Sequence, residues 1–187
     1  MRLLNSAVSL ALPGNNVSGQ PLYNCVQFID HSYMWGAVVS ADLYMGGSQL
    51  DGEKAANLPV QLVGVPAAPA VPGTCAPFGF SAKDTVSALG ANGVLGVGYS
   101  PQDCTSACTT NASNGYHYVQ MGNGRVTGTT VSLREQLQQP VNLFAINNNG
   151  VAISLPAIPF GGARVANGTL TFGIGTQSNN LPGAASV

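Results

Sequence analysis

Side chains able to do acid–base or nucleophilic chemistry are so few in this chain that each can be weighed singly. Asp30-His31-Ser32 puts a carboxylate, an imidazole and a hydroxyl in immediate succession. Successive strand residues face opposite sides, so these three cannot converge as orienter, base and nucleophile without a sharp bend. An exposed hairpin tip is the expectation. The second histidine, His117, stands between Tyr116 and Tyr118 after a long loop and is a binding candidate. Asp42 is expected to cap or pair locally. Gly93, Gly96 and Gly98 have the loose spacing of a phosphate loop, but no Lys-Ser/Thr and no helix follow, which excludes that chemistry.

Four cysteines, Cys25, Cys75, Cys104 and Cys108, allow three pairings. Cys104 and Cys108 close a short loop, which leaves Cys25 with Cys75 as the parsimonious second pair; four reduced thiols are the alternative. A zinc site lacks a second close Cys pair, and His31 and His117 lack the His-x3–5-His spacing of such sites. No metal and no cofactor are expected. Disulfides imply an oxidising compartment.

The elements that must position these residues follow from composition. Only 7% of the 187 residues are charged, against roughly 25% in an ordinary soluble domain. Twenty-four glycines, 12 prolines and many asparagines take their place, a mixture that breaks helices and favours short strands and tight turns. With 45% hydrophobic residues the chain can bury a core, so disorder is excluded. Six scattered basic residues and a net charge of −1 argue against nucleic acid as a partner. No apolar run reaches the roughly 18 residues of a transmembrane segment. The opening Met1 to Gly14 resembles a signal peptide only superficially, because Asn5 and Ser6 interrupt its apolar run.

Five Asn-Gly pairs and Asp51-Gly52 mark turns. Strands are expected over Gly36 to Met45 and Leu58 to Val63, and Pro66 to Pro77, with four prolines, as a covering loop. Hairpins are expected for Val141–Ile146 with Val151–Leu155 and for Ala163–Val165 with Thr169–Ile174. Residues 99–118 read as a long polar connection. A helix is expected over Ser132 to Gln139, where Ser132 and Glu135 make a capping box and Pro140 ends the run. A short turn is expected from Asp84 to Gly90. The fold class is mainly β with one or two short helices, a single domain over residues 1–177 and a flexible tail over 178–187.

Two stretches carry a resemblance. Ile29-Asp30-His31-Ser32-Tyr33-Met34-Trp35-Gly36, running on to Gly46-Gly47, is similar to the flap hairpin of pepsin-like lobes. Asn92-Gly93-Val94-Leu95-Gly96-Val97-Gly98 resembles their hydrophobic-hydrophobic-Gly strand, here Val94, Leu95 and Gly96. In that fold this strand passes beside the catalytic loop, with glycine permitting close backbone approach. Leu133–Gln139, Val141–Ile146 and Gly168–Gly173 resemble the pieces that close such a lobe. The chain also resembles an uncharacterised family of exported bacterial proteins, itself remotely similar to pepsins, at Cys25-Val26-Gln27-Phe28, Gln102-Asp103-Cys104 and Phe172 to Asn180.

The resemblance implies an acid-protease-like β-barrel lobe, incomplete here, in a periplasmic, cell-surface or secreted protein. In that family an Asp-Thr-Gly-Ser-like motif lies just before the position of Arg2-Leu3-Leu4, and an Asp-Ser-Gly-like motif lies beyond Gln177-Ser178-Asn179-Asn180. No Asp in this chain is followed by Thr-Gly or Ser-Gly, so the two carboxylates that share a proton in aspartic peptidases are missing and no catalytic residue is assigned. The expectation is a fragment with Met1 an internal start, whose partner is the rest of its own polypeptide, a second lobe, and whose intact parent is aspartic-peptidase-like or a non-catalytic relative. The alternative is a surface module binding extended peptide or glycan through Ser32, Tyr33, Trp35 and Gly36, with Trp35 either a stacking platform or packed in the sheet. In a bacterial protein the acceptor patterns at Asn16, Asn111 and Asn167 are turns.

Overall fold

A computed structural model describes residues 1–7, 11–46, 52–178, 180 and 181. Its strands in chain order are β1 (Arg2–Leu4), β2 (Asn16–Val17), β3 (Gln20–Gln27), β4 (Ser32–Met45), β5 (Glu53–Val63), β6 (Ser81–Ala82), β7 (Gly93–Val94), β8 (His117–Gln120), β9 (Val126–Gly128), β10 (Val151–Ser154) and β11 (Thr169–Phe172). Two helices of one turn, α1 (Val86–Leu89) and α2 (Ala107–Thr110), complete a mainly β fold. Packing divides the chain into two compact units. One holds Met1–Asp42 and Ala56–Gln139, the other Leu43–Ala55 and Pro140–Val187. Gly47 and Asp51 of the expected turns, and most of the expected tail from 178, lie outside the described residues.

The first unit is built on an open sheet in the order β7-β1-β5-β4-β3-β8-β9, with β2 beside β3 and β6 beside β4. β3 and β4 form the expected hairpin, antiparallel with Cys25 opposite Trp35. Strand alternation sends neighbours to opposite faces. Tyr23, Cys25, Trp35 and Tyr118 build an aromatic core with Cys75 on one side. Leu22, Val38 and Val119 build an aliphatic core with Val131 and Leu137 on the other. Both expected disulfides are present, Cys25–Cys75 and Cys104–Cys108, with Cα separations of 5.8 and 5.6 Å. The proline-rich loop covers the aromatic face through Ala68 and Val71, and Trp35 Nε1 donates to the Pro69 carbonyl. At the β8–β9 turn, Asn123-Gly124 behaves as expected: Gly124 takes a φ of 79° and Asn123 Oδ1 accepts from Arg125 N.

Three local expectations are corrected. Ser132–Gln139 is a turn, not a helix. Half of the capping box forms, with Ser132 N donating to Glu135 Oε2 at 2.9 Å, but Leu137 is drawn into the aliphatic core and the backbone pairs elsewhere. Asp103 N donates to Leu137 O, and Gln139 N to Pro101 O. Tertiary pairing thus overrides a short helical propensity. Val141–Ile146 is no strand: Pro140–Leu143 is a 3₁₀ turn, consistent with proline's fixed φ at a helix start. Ala163–Val165 is likewise irregular. The strand that the second unit does build from these segments joins Val151–Ser154 to Thr169–Phe172. Asn149 extends that pairing, accepting from Ile174 N at 2.7 Å and donating to its carbonyl at 2.9 Å. The expected short turn is α1, capped by Thr85 Oγ1 and closed at Gly90.

Within the second unit, Glu53 anchors a loop. Its carboxylate accepts from Ala145 N, Asn147 N and Asn147 Nδ2 at 3.1, 3.0 and 2.7 Å. Asn147 Oδ1 in turn accepts from Thr176 Oγ1 and Asn180 Nδ2, and Phe144 meets Phe172 edge to face.

Candidate functional site

The first unit's sheet carries a row of polar side chains where apolar ones would be expected. Asn24 lies in register between Gly36 on β4 and His117 on β8. Arg2 on β1 lies opposite Gln61 on β5. Cross-strand partners share a face, so Asn24 and His117 project to the side of Leu22, away from the aromatic core. Asn24, Gln61 and His117 are all fully buried. At Gly36 the Leu62 carbonyl occupies the place of a side chain, where a Cβ would lie 2.1 Å from its oxygen. Gln61 Nε2 reaches the Asn24 carbonyl at 2.6 Å.

Asp103 joins this row from the disulfide loop, held by its backbone bond to Leu137 and by the following Cys104. Asn24 Nδ2 donates to Asp103 Oδ2 at 2.9 Å and lies 3.4 Å from His117 Nδ1, while Asn24 Oδ1 accepts from Arg2 Nη2 at 3.4 Å. His117 Nε2 lies 3.3 Å from Asp103 Oδ1 without hydrogen-bond geometry. Arg2 Nη2 is 3.7 Å from Asp103 Oδ2. Burial pulls the Arg2 guanidinium below its ordinary pKa, and Asp103 opposes that fall. Asn114, beside Gly115 at a φ of 78°, accepts from Tyr116 N and His117 N, both at 2.8 Å, and so aims His117 into the row.

This network forms one wall of a cavity of about 740 Å³ that Arg2 and Asp103 line together with Tyr99, Tyr116, Gln138 and Gln139. Beneath its surface Arg2 Nε and Gln139 Oε1 are buried without a hydrogen-bond partner among the described residues, and Asp103 Oδ1 and His117 Nε2 face each other at 3.3 Å. Among the described residues no hydroxyl or thiol is hydrogen-bonded to His117, and all four cysteines are in disulfides. Nor do three His, Cys, Asp or Glu side chains gather as a metal site among the described residues.

The residues singled out from sequence lie elsewhere. Ser32 is buried, and its N and Oγ donate to Asp30 Oδ1 at 3.1 and 2.5 Å. That bond from Ser32 holds the exposed Asp30 carboxyl below the usual range. His31, at a φ of 57°, stacks on Phe80. Trp35 is 6% exposed and stacks on Tyr23. The cavity beside Tyr33 and Trp35 is about 60 Å³, room for about two waters. Of the two readings its sequence context allowed, Trp35 takes core packing in the sheet. Asp42 pairs locally as expected, accepting from Asn57 N. In the hydrophobic-hydrophobic-Gly stretch only Gly93–Val94 is strand; Val94 is exposed, and Leu95 and Gly96 are irregular because pairing with β1 ends at Arg2. The close backbone approach falls at Gly93, where a Cβ would meet Arg2 O at 2.5 Å, whereas Gly96 has open space.

Fold and site define a mainly β protein with a polar, ligand-sized cavity. Over residues 1–187 the chain matches the family described as "Protein of unknown function (DUF3443)", and it belongs to that family. No curated protein and no solved structure matches it. The two disulfides point to an extracytoplasmic setting. Among the described residues no helix is long and apolar enough to cross a membrane.

Proposed function

We propose that the chain is a non-catalytic, pepsin-like β domain of an exported bacterial protein, and that its work is binding at the polar cavity rather than peptide hydrolysis. The observation that carries this is the buried Arg2–Asn24–Asp103–His117 network opening on about 740 Å³, within the usual range of ligand pockets of about 300–1,000 Å³. The 60 Å³ beside Tyr33 and Trp35 falls far below that range, which favours the cavity over the hairpin as the place of contact. Pepsin-like descent is supported by the pairing of Gly93–Val94 with Arg2–Leu3 and by the tight backbone contact at Gly93. Absence of catalysis is supported by the lack of any Asp-Thr/Ser-Gly. It is also supported by the company of Asp103, which faces a guanidinium and an imidazole, not a second carboxylate with which to share a proton. Aspartic-peptidase-like activity would belong to a longer polypeptide supplying both motifs.

Two measurements on the purified chain test this. It should leave denatured casein uncut from acid to neutral pH; pepstatin-sensitive cleavage would refute a non-catalytic role. In an amide NMR screen with small polar fragments, shifts should cluster at Asp103, Tyr116 and Gln139. Shifts confined to Tyr33–Gly36 would return binding to the hairpin.

A further inference from the structure

Within the binding role just proposed, on which this step rests, we infer that the cavity takes a neutral saccharide. Its wall presents the Arg2 guanidinium and the Asp103 carboxylate 3.7 Å apart. Beside them lies the Met1 amine, which burial pulls down to about 6 and so leaves mostly uncharged at neutral pH. An anionic ligand that reaches Arg2 therefore also meets Asp103, and a cationic one meets Arg2. A ligand without net charge avoids both conflicts.

The polar side chains of the lining set the second requirement. Asp103 can only accept, Arg2 can only donate, and the amides of Gln138 and Gln139 do both. A hydroxyl both donates and accepts at one atom, and a polyol offers several at close spacing.

Two aromatic rings supply the third element. Tyr99 lines the cavity and is fully exposed, and Tyr116 lines it at 38% exposure. An exposed tyrosine offers a flat apolar face beside a polar tip, suited to the C–H face of a pyranose whose hydroxyl edge bonds Asp103, Arg2 and Gln139. No packing role accounts for Tyr99, which covers no core residue.

The test is titration of the whole chain, by calorimetry or amide NMR, with cellohexaose, chitohexaose, maltohexaose, xylohexaose and mannohexaose. At least one should bind with shifts at Asp103 and Tyr116. Tyr99→Ala should weaken it by about tenfold or more, corresponding to about 1.4 kcal/mol, while Tyr99→Phe should stay within about threefold because the ring face is kept. Full exposure of Tyr99 means neither variant threatens the fold. Failure of all five at millimolar concentration overturns the saccharide assignment, as does binding that Tyr99→Ala leaves intact. Small fragments or tripeptides that still shift Asp103 and Tyr116 would in that event leave the cavity as a binding site for a different chemistry. Loss of those shifts too would take the binding role down with it.

Discussion

Asp103→Asn is the sharpest perturbation of the polar row. At 3.7 Å and an effective dielectric of about 20, two unit charges attract by about 4.5 kcal/mol. Part of that gain is cancelled by the cost of burying the carboxylate, which the substitution relieves. Asparagine still accepts from Asn24, so that hydrogen bond is weakened, not lost. The net destabilisation is about 2–3 kcal/mol, a large share of the 5–15 kcal/mol typical of a domain. For a chain of this size it should lower the melting temperature by about 5–10 °C. Urea and thermal unfolding followed by circular dichroism give the value. Arg2→Met should cost a similar amount alone, and the double variant little more than either. The cycle should return a coupling of about 2 kcal/mol. Additivity within about 0.5 kcal/mol would refute the claim that the two charges depend on each other.

Other perturbations separate the remaining parts of the structure. Replacing Cys25 and Cys75 together by Ala opens a loop spanning 50 residues and should cost about 4 kcal/mol, while the same change at Cys104 and Cys108, 4 apart, should cost about 2 kcal/mol; urea midpoints in the reverse order would contradict the loop argument. Gly36→Ala drives a Cβ to 2.1 Å from the Leu62 carbonyl oxygen and should cost about 3 kcal/mol or more, whereas Gly96→Ala meets nothing and should change stability by about 0.5 kcal/mol at most. Glu53→Ala removes the acceptor of three hydrogen bonds and should cost about 2 kcal/mol locally, read as faster hydrogen exchange at Ala145 and Asn147. The depressed pKa of Asp30 means its turn is supported above the unfolded carboxylate pKa and released as pH falls through the lower folded value. Ser32→Ala should move the Asp30 titration, followed by carboxyl NMR, back up toward the ordinary value.

Strands were legible where chemistry and periodicity agree. Gly36–Met45 and Leu58–Val63 read as strands because β-branched and aromatic residues dominate them, and the structure extends both. The disulfides followed from cysteine spacing. What failed was pairing at a distance. Val151–Ser154 chooses Thr169–Phe172 over its sequence neighbour, and Ser132–Gln139 gives up a capped helix because Leu137 is needed in the aliphatic core. No local propensity encodes either choice. The cavity was equally hidden, since Arg2, Asn24, Gln61, Asp103 and His117 stand far apart in the chain, four of them brought together by sheet register and Asp103 by the disulfide loop. A faint signal existed: Asn24 within Leu22-Tyr23-Asn24-Cys25-Val26 and Gln61 within Val60-Gln61-Leu62 are amides inside apolar strand runs. Such residues must find buried partners, and following those partners leads to Asp103 and His117. Trp35 drew attention as the single tryptophan, yet its neighbours Tyr23, Tyr118 and the disulfide make it core.

The most direct test of the central claim is a crystal of the chain soaked with neutral saccharides and small polar fragments. Ordered density bounded by Arg2, Asp103 and Tyr116, with new bonds to the polar side chains of the lining, is the expected result. A cavity that stays empty of ligand while molecules settle at the Tyr33–Gly36 hairpin, or nowhere, would contradict it.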